Sequence, residues 1–255
     1  MSIIGLPDEI LFIINDFCPF DNLLQTCSIL HQVRRRIGTY KLNRTYSLKY
    51  YIEAAFRDLV FQTITDSRKQ LHLSLKECSD EITDVSALGN VHTLDLRCCY
   101  EITDVSALGN VHTLTLWGCT GITDVSHLGN VHTLELYYCD KITDVSALGK
   151  VHTLTLWGCD GITDVSHLGN VYTLYLSCCN EITRVSALGN VHTLNLSFCD
   201  KITDVSALGN VHTLYLSYCN KITDVSALGN VHTLNLRGCG ITDVSMLGRV
   251  HNLIV

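Results

Sequence analysis

Proline is nearly absent from this 255-residue chain, and so are long apolar runs. Both prolines, Pro7 and Pro19, lie near the N-terminus, so no proline removes a backbone donor from the rest of the chain. No apolar run reaches the roughly 20 residues that a membrane-spanning helix needs. The segment MSIIGLPDEI lacks the basic start of a secretory signal, so we expect a cytoplasmic or nuclear protein.

Positive charge is also scarce over most of the chain. Residues 1–70 hold nine Lys/Arg and seven Asp/Glu, whereas residues 71–255 hold nine Lys/Arg and eighteen Asp/Glu, a net charge of −9. Nucleic-acid partners select basic surfaces, so this acidic part of the chain argues against nucleic acid as a ligand.

Most of the chain consists of one twenty-residue segment that repeats. Residues 111–130 read VHTLTLWGCTGITDVSHLGN, and residues 151–170 differ from them only at Asp160 in place of Thr120. The aligned copies follow V-H-T-L-x-L-x-x-C-x-x-I-T-D-V-S-x-L-G-N, and a period of this length indicates a stacked repeat fold. One cysteine marks each copy: Cys78, Cys99, Cys119, Cys139, Cys159, Cys179, Cys199, Cys219 and Cys239.

A single copy cannot fold alone. Burying its six aliphatic side chains gains roughly 9–18 kcal/mol, whereas ordering its twenty residues costs roughly 20 kcal/mol or more. Stacking of neighbouring copies must supply the difference. The alternation T-L-x-L-x predicts a short strand whose leucines face the core. In the copy from residue 91, the predicted core is Val91, Leu94, Leu96, Ile102, Val105 and Leu108.

The second half of each copy predicts a turn. Asp104 is placed to cap the amide of Ser106 and to open a short 3₁₀ turn. The following Gly-Asn is expected to make the bend into the next strand, with the glycine at positive φ.

The pattern L-x-x-L-x-L-x-x-C resembles cysteine-bearing leucine-rich repeats, and ITDVSALGN resembles the short repeats of internalin-type proteins. The resemblance implies an α/β fold: a right-handed solenoid with a parallel sheet on its concave face and 3₁₀ or irregular convex turns, preceded by a small helical head. We expect a head over 1–45, a linker helix and cap over 46–70, and a solenoid over 71–255 with nine repeats and a partial tenth. The near-identical copies also resemble arrays encoded by marseilleviruses, large DNA viruses of amoebae.

The repeat cysteines would lie about 5 Å apart in neighbouring copies, which the Cα distance of a disulfide allows. A chain without an export signal favours buried thiols instead.

Residues 6–37 resemble an F-box, a three-helix module of about forty residues. Leu6, Pro7, Glu9, Ile10 and Leu11 match its start, Asp21, Leu23 and Leu24 its middle, and Arg34 to Arg36 its end, but Val33 stands where the family has tryptophan. The resemblance implies binding to a Skp-type adaptor of a cullin-based ubiquitin ligase through Leu6, Pro7, Ile10, Leu11, Leu23 and Leu24. The alternative is a plain helical cap on the solenoid. Residues 48–61 predict one further amphipathic helix.

Two columns of polar residues recur through the copies. The histidines could bind a transition metal, act as a pH sensor, or be a copied surface residue. The aspartates could hold calcium or merely cap the turns, with Arg184 replacing one of them. We predict no metal and no cofactor. Because every Ser, His, Asp and Cys of the array repeats, no unique constellation marks a catalytic centre, and we predict no enzymatic activity.

The residues that vary between copies fall at three positions after the first leucine of each strand. In the copy from residue 91, the first variable position is Asp95, the second is Arg97 and the third is Cys98. Exposed aromatic residues in one patch typically mark a protein-binding surface, although stacking of rings across strands could simply support the sheet. The predicted partner-binding residues of the concave face are Arg97, Trp117, Glu135, Tyr137, Tyr138, Trp157, Tyr175, Phe198, Tyr215, Tyr218 and Arg237.

Two functional hypotheses follow. In the first, the head binds a Skp-type adaptor and the concave face holds a target protein for ubiquitin transfer. In the second, the protein is a structural or decoy binding module without a ligase link, which the missing tryptophan favours. The terminal strand in HNLIV presents an apolar edge, from which we also expect end-to-end dimerisation.

Overall fold

The computed structural model describes residues 39–67, 70–76, 78 and 81–255, which divide into two compact units. The first unit ends at Leu75 and also includes Val91–Asp95, and the second comprises Lys76–Asn90 and Leu96–Val255. Among these residues, no helix has the length and apolar character needed to cross a membrane. The F-box-like segment lies outside the described residues, together with Leu6, Pro7, Ile10, Leu11, Leu23 and Leu24.

The first unit combines two helices with three parallel strands, β1 to β3, paired in sequence order. Asn43 caps the first helix by accepting the Tyr46 N–H at 3.0 Å. The buried Ser47 hydroxyl donates to the Leu42 carbonyl and accepts the Ser74 N–H, each at 3.2 Å. These bonds tie helix to sheet within the unit. The elements are β1 Thr39–Lys41, α1 Arg44–Ile52, α2 Ala54–Ser67, β2 Gln70–Ser74 and β3 Thr93–Asp95.

The single helix predicted over 48–61 is wrong, because Glu53 separates two helices. Its backbone is extended, at φ −100° and ψ 110°. Arg57 then stabilises the break by donating to the terminal carbonyls of α1 at Tyr50 and Tyr51, at 2.8 and 2.9 Å. A guanidinium that binds two orphan carbonyls satisfies the helix end, which periodicity alone does not reveal.

The second unit is a regular stack of copies. Each contributes a three-residue parallel strand and a 3₁₀ turn, and successive strands pair in register, as in Leu134↔Leu154. The strands are β4 Thr113–Thr115, β5 Thr133–Glu135, β6 Thr153–Thr155, β7 Thr173–Tyr175, β8 Thr193–Asn195, β9 Thr213–Tyr215, β10 Thr233–Asn235 and β11 Asn252–Ile254. The turns are Ser86–Leu88, Ser106–Asn110, Ser126–Asn130, Ser146–Lys150, Ser166–Leu168, Ser186–Asn190, Ser206–Leu208, Ser226–Leu228 and Ser245–Leu247.

The core is the predicted aliphatic set. Val91, Leu94, Leu96, Ile102, Val105 and Leu108 are each at most 2% exposed. The copies up to Leu228 bury the same positions, so the stack supplies the apolar burial that one copy lacks. In the last copy, Ile241 is half-buried and Val244 is 36% exposed. The leucine-rich-repeat solenoid predicted from the sequence is confirmed.

The cysteines link each copy to the one before it. The Cys179 thiol donates to the Leu156 carbonyl at 2.8 Å, and Cys159 donates to Leu136 at 3.0 Å. The same bond recurs from Cys119 to Cys239. These cysteines are free and buried, as the sequence favoured. Burial raises the pKa of the Cys159 thiol to about 12, so it stays a donor at neutral pH.

The turns begin as predicted. The Asp104 carboxylate accepts the Ser106 N–H at 2.8 Å, and the other turn aspartates do the same. The pKa of the Asp104 and Asp144 carboxylates is lowered, chiefly by this backbone hydrogen bond. Each aspartate of the column therefore has a local structural cause, and Arg184 replaces it in one copy.

The prediction that the turn glycines take positive φ is wrong. Gly169 lies at φ −63° and ψ −14°, a conformation open to any residue. Glycine is needed there for another reason: a Cβ atom would lie 2.4 Å from the Ala187 carbonyl oxygen of the next copy. The turns stack so closely that this position has no room for a side chain.

Candidate protein-binding surface

The exposed face of the sheet carries the variable residues because the strands alternate. Leu114 and Leu116 are fully buried, so Thr115 and Trp117 point to the opposite face. The same alternation in the next two copies places Tyr137 and Trp157 beside Trp117. Register pairing of β4 to β5 and of β5 to β6 sets the three rings in one row across the sheet.

We call Trp117, Tyr137 and Trp157 the aromatic row. The Trp117 and Tyr137 ring centroids lie 5.6 Å apart with planes at 43°, and those of Tyr137 and Trp157 lie 6.0 Å apart at 38°. Trp117 is 43% and Trp157 41% exposed, while Tyr137 is half-buried between them. Strands are about 4.8 Å apart, so the rings are splayed and their faces are not closed against one another.

Polar side chains lie beside the row. The carboxylate of Glu135, two residues before Tyr137, accepts the Thr115 hydroxyl at 3.0 Å. Thr155 is 4% exposed and lies beside the Tyr137 side chain. Burial and the nearby Glu135 charge together raise the pKa of Tyr137, so the phenol stays neutral.

The third variable position has a backbone constraint that the sequence analysis missed. The residue before the repeat cysteine has positive φ in eight successive copies, a region that disfavours any side chain with a Cβ. The residues are Cys98, Gly118, Tyr138, Gly158, Cys178, Phe198, Tyr218 and Gly238. The glycines at 118, 158 and 238 were the available signal, since glycine recurring at one column position indicates such a conformation.

Side chains at this third position lean over the next copy. A Cβ built on Gly158 would lie 2.7 Å from the Tyr138 ring, and one built on Gly238 would lie 2.6 Å from the Tyr218 ring. Phe198 and Tyr218 stack face to face, with centroids 4.8 Å apart and planes at 13°. Part of the aromatic surface is therefore self-packed, as the cross-strand alternative anticipated.

The remaining predicted residues spread along the sheet. Tyr175 and Tyr215 are half-buried at the first variable position, and Arg97 and Arg237 stand at the second position, toward opposite ends of the second unit. Ser177 and Ser197 also occupy the second position but are only 3% and 8% exposed. The variable positions beyond Trp157 thus present fewer side chains to solvent than the sequence suggested.

A column of stacked imidazoles runs beside the same sheet. His112 and His132 stack at 4.5 Å with planes at 11°, and Tyr172 takes one place in the column, 4.5 Å from His192. In the copies from His92 to His232, the histidine Nδ1 lies 3.2 Å from the hydroxyl of the next threonine, as His132 does from Thr133. Desolvation and the neighbouring imidazoles lower the pKa of His132.

Within the described part of the chain, no three His, Cys, Asp or Glu side chains are grouped so as to hold a metal ion. Parallel rings whose nitrogens point the same way do not converge on one ion.

At the last strand, β11, Ile254 is 47% exposed, and Val255, which follows the strand, is 67% exposed. End-to-end association through this strand stays a prediction.

Comparison with known proteins agrees with this geometry. Residues 190–209 and 230–247 match the family model described as Leucine Rich repeat. Two copies of this chain are thus similar to leucine-rich repeats in sequence. Curated protein sequences give no significant match.

Three of the solved structures that this chain matches come from bacteria. Internalin C2 of Listeria monocytogenes is 27% identical, with 72% of this chain and 78% of that chain covered and a TM-score of 0.46. A leucine-rich-repeat protein of Leptospira interrogans is 17% identical, with 77% and 74% covered and a TM-score of 0.37. The functional domain of Listeria InlJ, which includes a cysteine ladder, is 17% identical over 73% of this chain and 56% of that one, with a TM-score of 0.30. All three TM-scores are below 0.5, so the fold assignment rests on the repeat geometry of this chain.

Proposed function

We propose that this protein is a non-enzymatic scaffold that binds a target protein on the exposed face of its sheet. The observation that carries the proposal is the aromatic row, in which two tryptophans remain about two-fifths exposed on a rigid frame. Tryptophan and tyrosine are the residues that most often dominate binding energy at protein interfaces. Because in-register strand pairing already fixes the backbone of this surface, little conformational entropy is lost when a partner binds.

The ligase link is the finer part of the proposal. Residues 6–37 resemble an F-box, and the family binds a Skp-type adaptor; here that contact would use Leu6, Pro7, Ile10, Leu11, Leu23 and Leu24. The scaffold would then present its target for ubiquitin transfer in the cytoplasm or nucleus. Buried free thiols in every copy suit such a reducing compartment.

The adaptor contact is tested first with purified proteins. We expect the full chain to bind a Skp-type adaptor with submicromolar affinity, and the double variant Leu6→Ala/Pro7→Ala to lose binding while its far-UV circular dichroism stays unchanged. An unaltered protein that is folded yet does not bind the adaptor would refute the ligase link. It would support the second candidate, a structural or decoy binding module, which Val33 at the usual tryptophan position favours.

The target surface is tested by quantitative capture from a cell extract. The bait is the full chain, compared with Trp117→Ala/Trp157→Ala and with the control Tyr172→Ala. Tyr172 is 47% exposed but belongs to the imidazole column, so the control removes a similar aromatic area elsewhere. A partner enriched by the wild type and the control, and lost by the double variant, supports the surface. Equal capture by all three baits contradicts it.

A further inference from the structure

The aromatic row is more open than the other ring contacts of the second unit. His112 and His132 pack nearly parallel at 11°, and Phe198 and Tyr218 do the same at 13°, while the last imidazole pair, His232 and His251, is tilted by 30°. Rings that pack nearly parallel cover each other's faces. In the aromatic row the planes open to 43° and 38°, and the centroids are separated by more than one strand spacing of about 4.8 Å. Its faces are therefore available to a ligand.

A carboxylate stands beside these open faces. Glu135 is the last residue of β5 and precedes Tyr137 by two residues, so alternation places both side chains on the same face of the sheet. The Thr115 hydroxyl fixes the Glu135 Oε2 atom at 3.0 Å, and no hydrogen bond of the described residues engages Oε1. Thr115 and Thr155, which pair with Glu135 on the two adjacent strands, are uncharged, so Glu135 supplies the negative charge at this place.

Aromatic faces carry a negative quadrupole and attract cations within about 6 Å of the ring centroid. A carboxylate next to such faces adds a charge-assisted hydrogen bond for the same cation. The surroundings act in the same direction, because residues 71–255 carry a net charge of −9. Arg97 stands in the copy before Trp117, so the positive charge nearest to the row lies on its Trp117 side.

We propose that Tyr137, Trp157 and Glu135, bordered by Trp117, form a receptor for an arginine or lysine side chain presented by a basic segment of the partner protein. This inference rests on the proposed binding function and names the chemistry of the partner. A guanidinium is flat and weakly hydrated, so it can lie on the Trp157 face while donating to Glu135. The acidic array draws the basic segment in, and the aromatic row selects where its side chain binds.

The chain provides its own reporter. Trp117 and Trp157 are its only two tryptophans, so intrinsic tryptophan fluorescence reads this surface alone. The probe is an octa-arginine peptide, titrated into the full chain at low salt, with octa-glutamate and an uncharged Gly-Ser peptide of equal length as comparisons. We expect a saturable fluorescence change with octa-arginine only.

Matched variants separate the receptor from general attraction to an acidic protein. Glu135→Gln should weaken binding of octa-arginine by about fivefold to tenfold, whereas Glu101→Gln, an equal charge change away from the row, should alter it by less than about twofold. Tyr137→Phe keeps a ring and should retain binding, and Tyr137→Leu should lose it.

Two results would overturn the inference. One is equal weakening by Glu135→Gln and Glu101→Gln, which would reduce the effect to net charge. The other is the absence of a fluorescence change with octa-arginine, or an equal change with the uncharged peptide. If the extract experiment still finds a partner that is lost with Trp117→Ala/Trp157→Ala, the scaffold function stands and only the cationic receptor fails.

Discussion

Replacing one turn glycine by alanine should destabilise the stack, although alanine suits the local backbone. At Gly169, φ is −63° and ψ −14°, so the substitution by itself should stabilise the protein by about 0.4–1 kcal/mol through the unfolded chain. The added Cβ would lie 2.4 Å from the Ala187 oxygen, about 1 Å short of ordinary contact. That oxygen belongs to the backbone of the next copy, so relief requires two copies to move apart, at about 1–3 kcal/mol.

The chain offers an internal control for this substitution. Gly248 has nearly the same backbone, φ −62° and ψ −11°, but a Cβ there would meet nothing within 4 Å. We expect Gly169→Ala to lower the free energy of unfolding by about 1–2 kcal/mol and Gly248→Ala to leave it unchanged or raise it by up to about 1 kcal/mol.

The assay is urea denaturation followed by far-UV circular dichroism, with midpoints compared at equal slope, because stacked repeats can depart from two-state unfolding. If Gly169→Ala were as stable as the wild type, close stacking would not be the reason for glycine. If both variants were destabilised equally, the cause would lie in the backbone of the turn itself.

Three further predictions concern the ladders. Cys179→Ala should cost about 0.5–1.5 kcal/mol because the Leu156 carbonyl loses its 2.8 Å thiol donor and keeps only the 3.4 Å bond from the Cys159 N–H, and Cys179→Ser, which keeps a donor, should cost less in the same denaturation assay. Iodoacetamide at pH 8 should label the half-exposed Cys178 in the folded protein but spare buried Cys159, whose pKa is raised to about 12; mass-spectrometric mapping showing equal labelling would contradict this. The pKa of His132 is lowered in the folded protein. The free energy of unfolding should therefore have its full value above about pH 6.5 and should decrease as the pH falls through that value. His132→Tyr, which copies Tyr172, should flatten part of that loss in denaturation midpoints measured from pH 7.5 to 5, and an unchanged profile would refute the link.

The repeat geometry was predictable because the same residue types occur at the same positions in each copy. The buried leucines, the Asp104 bond to Ser106 and the buried thiols all follow from local patterns that the stack repeats. Errors arose where a residue has two possible reasons to be present. Glycine can serve positive φ or close approach, and only coordinates separate Gly169, which has the second reason, from Gly158, which has both.

The candidate surface was predictable as a set of positions but not as a shape. Alternation placed Trp117 and Trp157 on the exposed face, yet it could not tell that the aromatic row splays while Phe198 and Tyr218 close on each other. That difference depends on ring torsions and on the backbone before each cysteine. Likewise, Ser177 had the same position in its copy as Tyr137 but is buried.

The thiol and glycine contacts join each copy only to its immediate neighbours, and every junction uses the same atoms. A whole copy can therefore be inserted or removed without creating an interface of a new kind. Unequal recombination between near-identical coding segments would lengthen or shorten the array while leaving its junctions intact. Removing residues 131–150 would bring Trp117 and Trp157 onto adjacent strands and delete Glu135 in one event. In this architecture, a change in the number of copies alters the candidate surface without any point mutation.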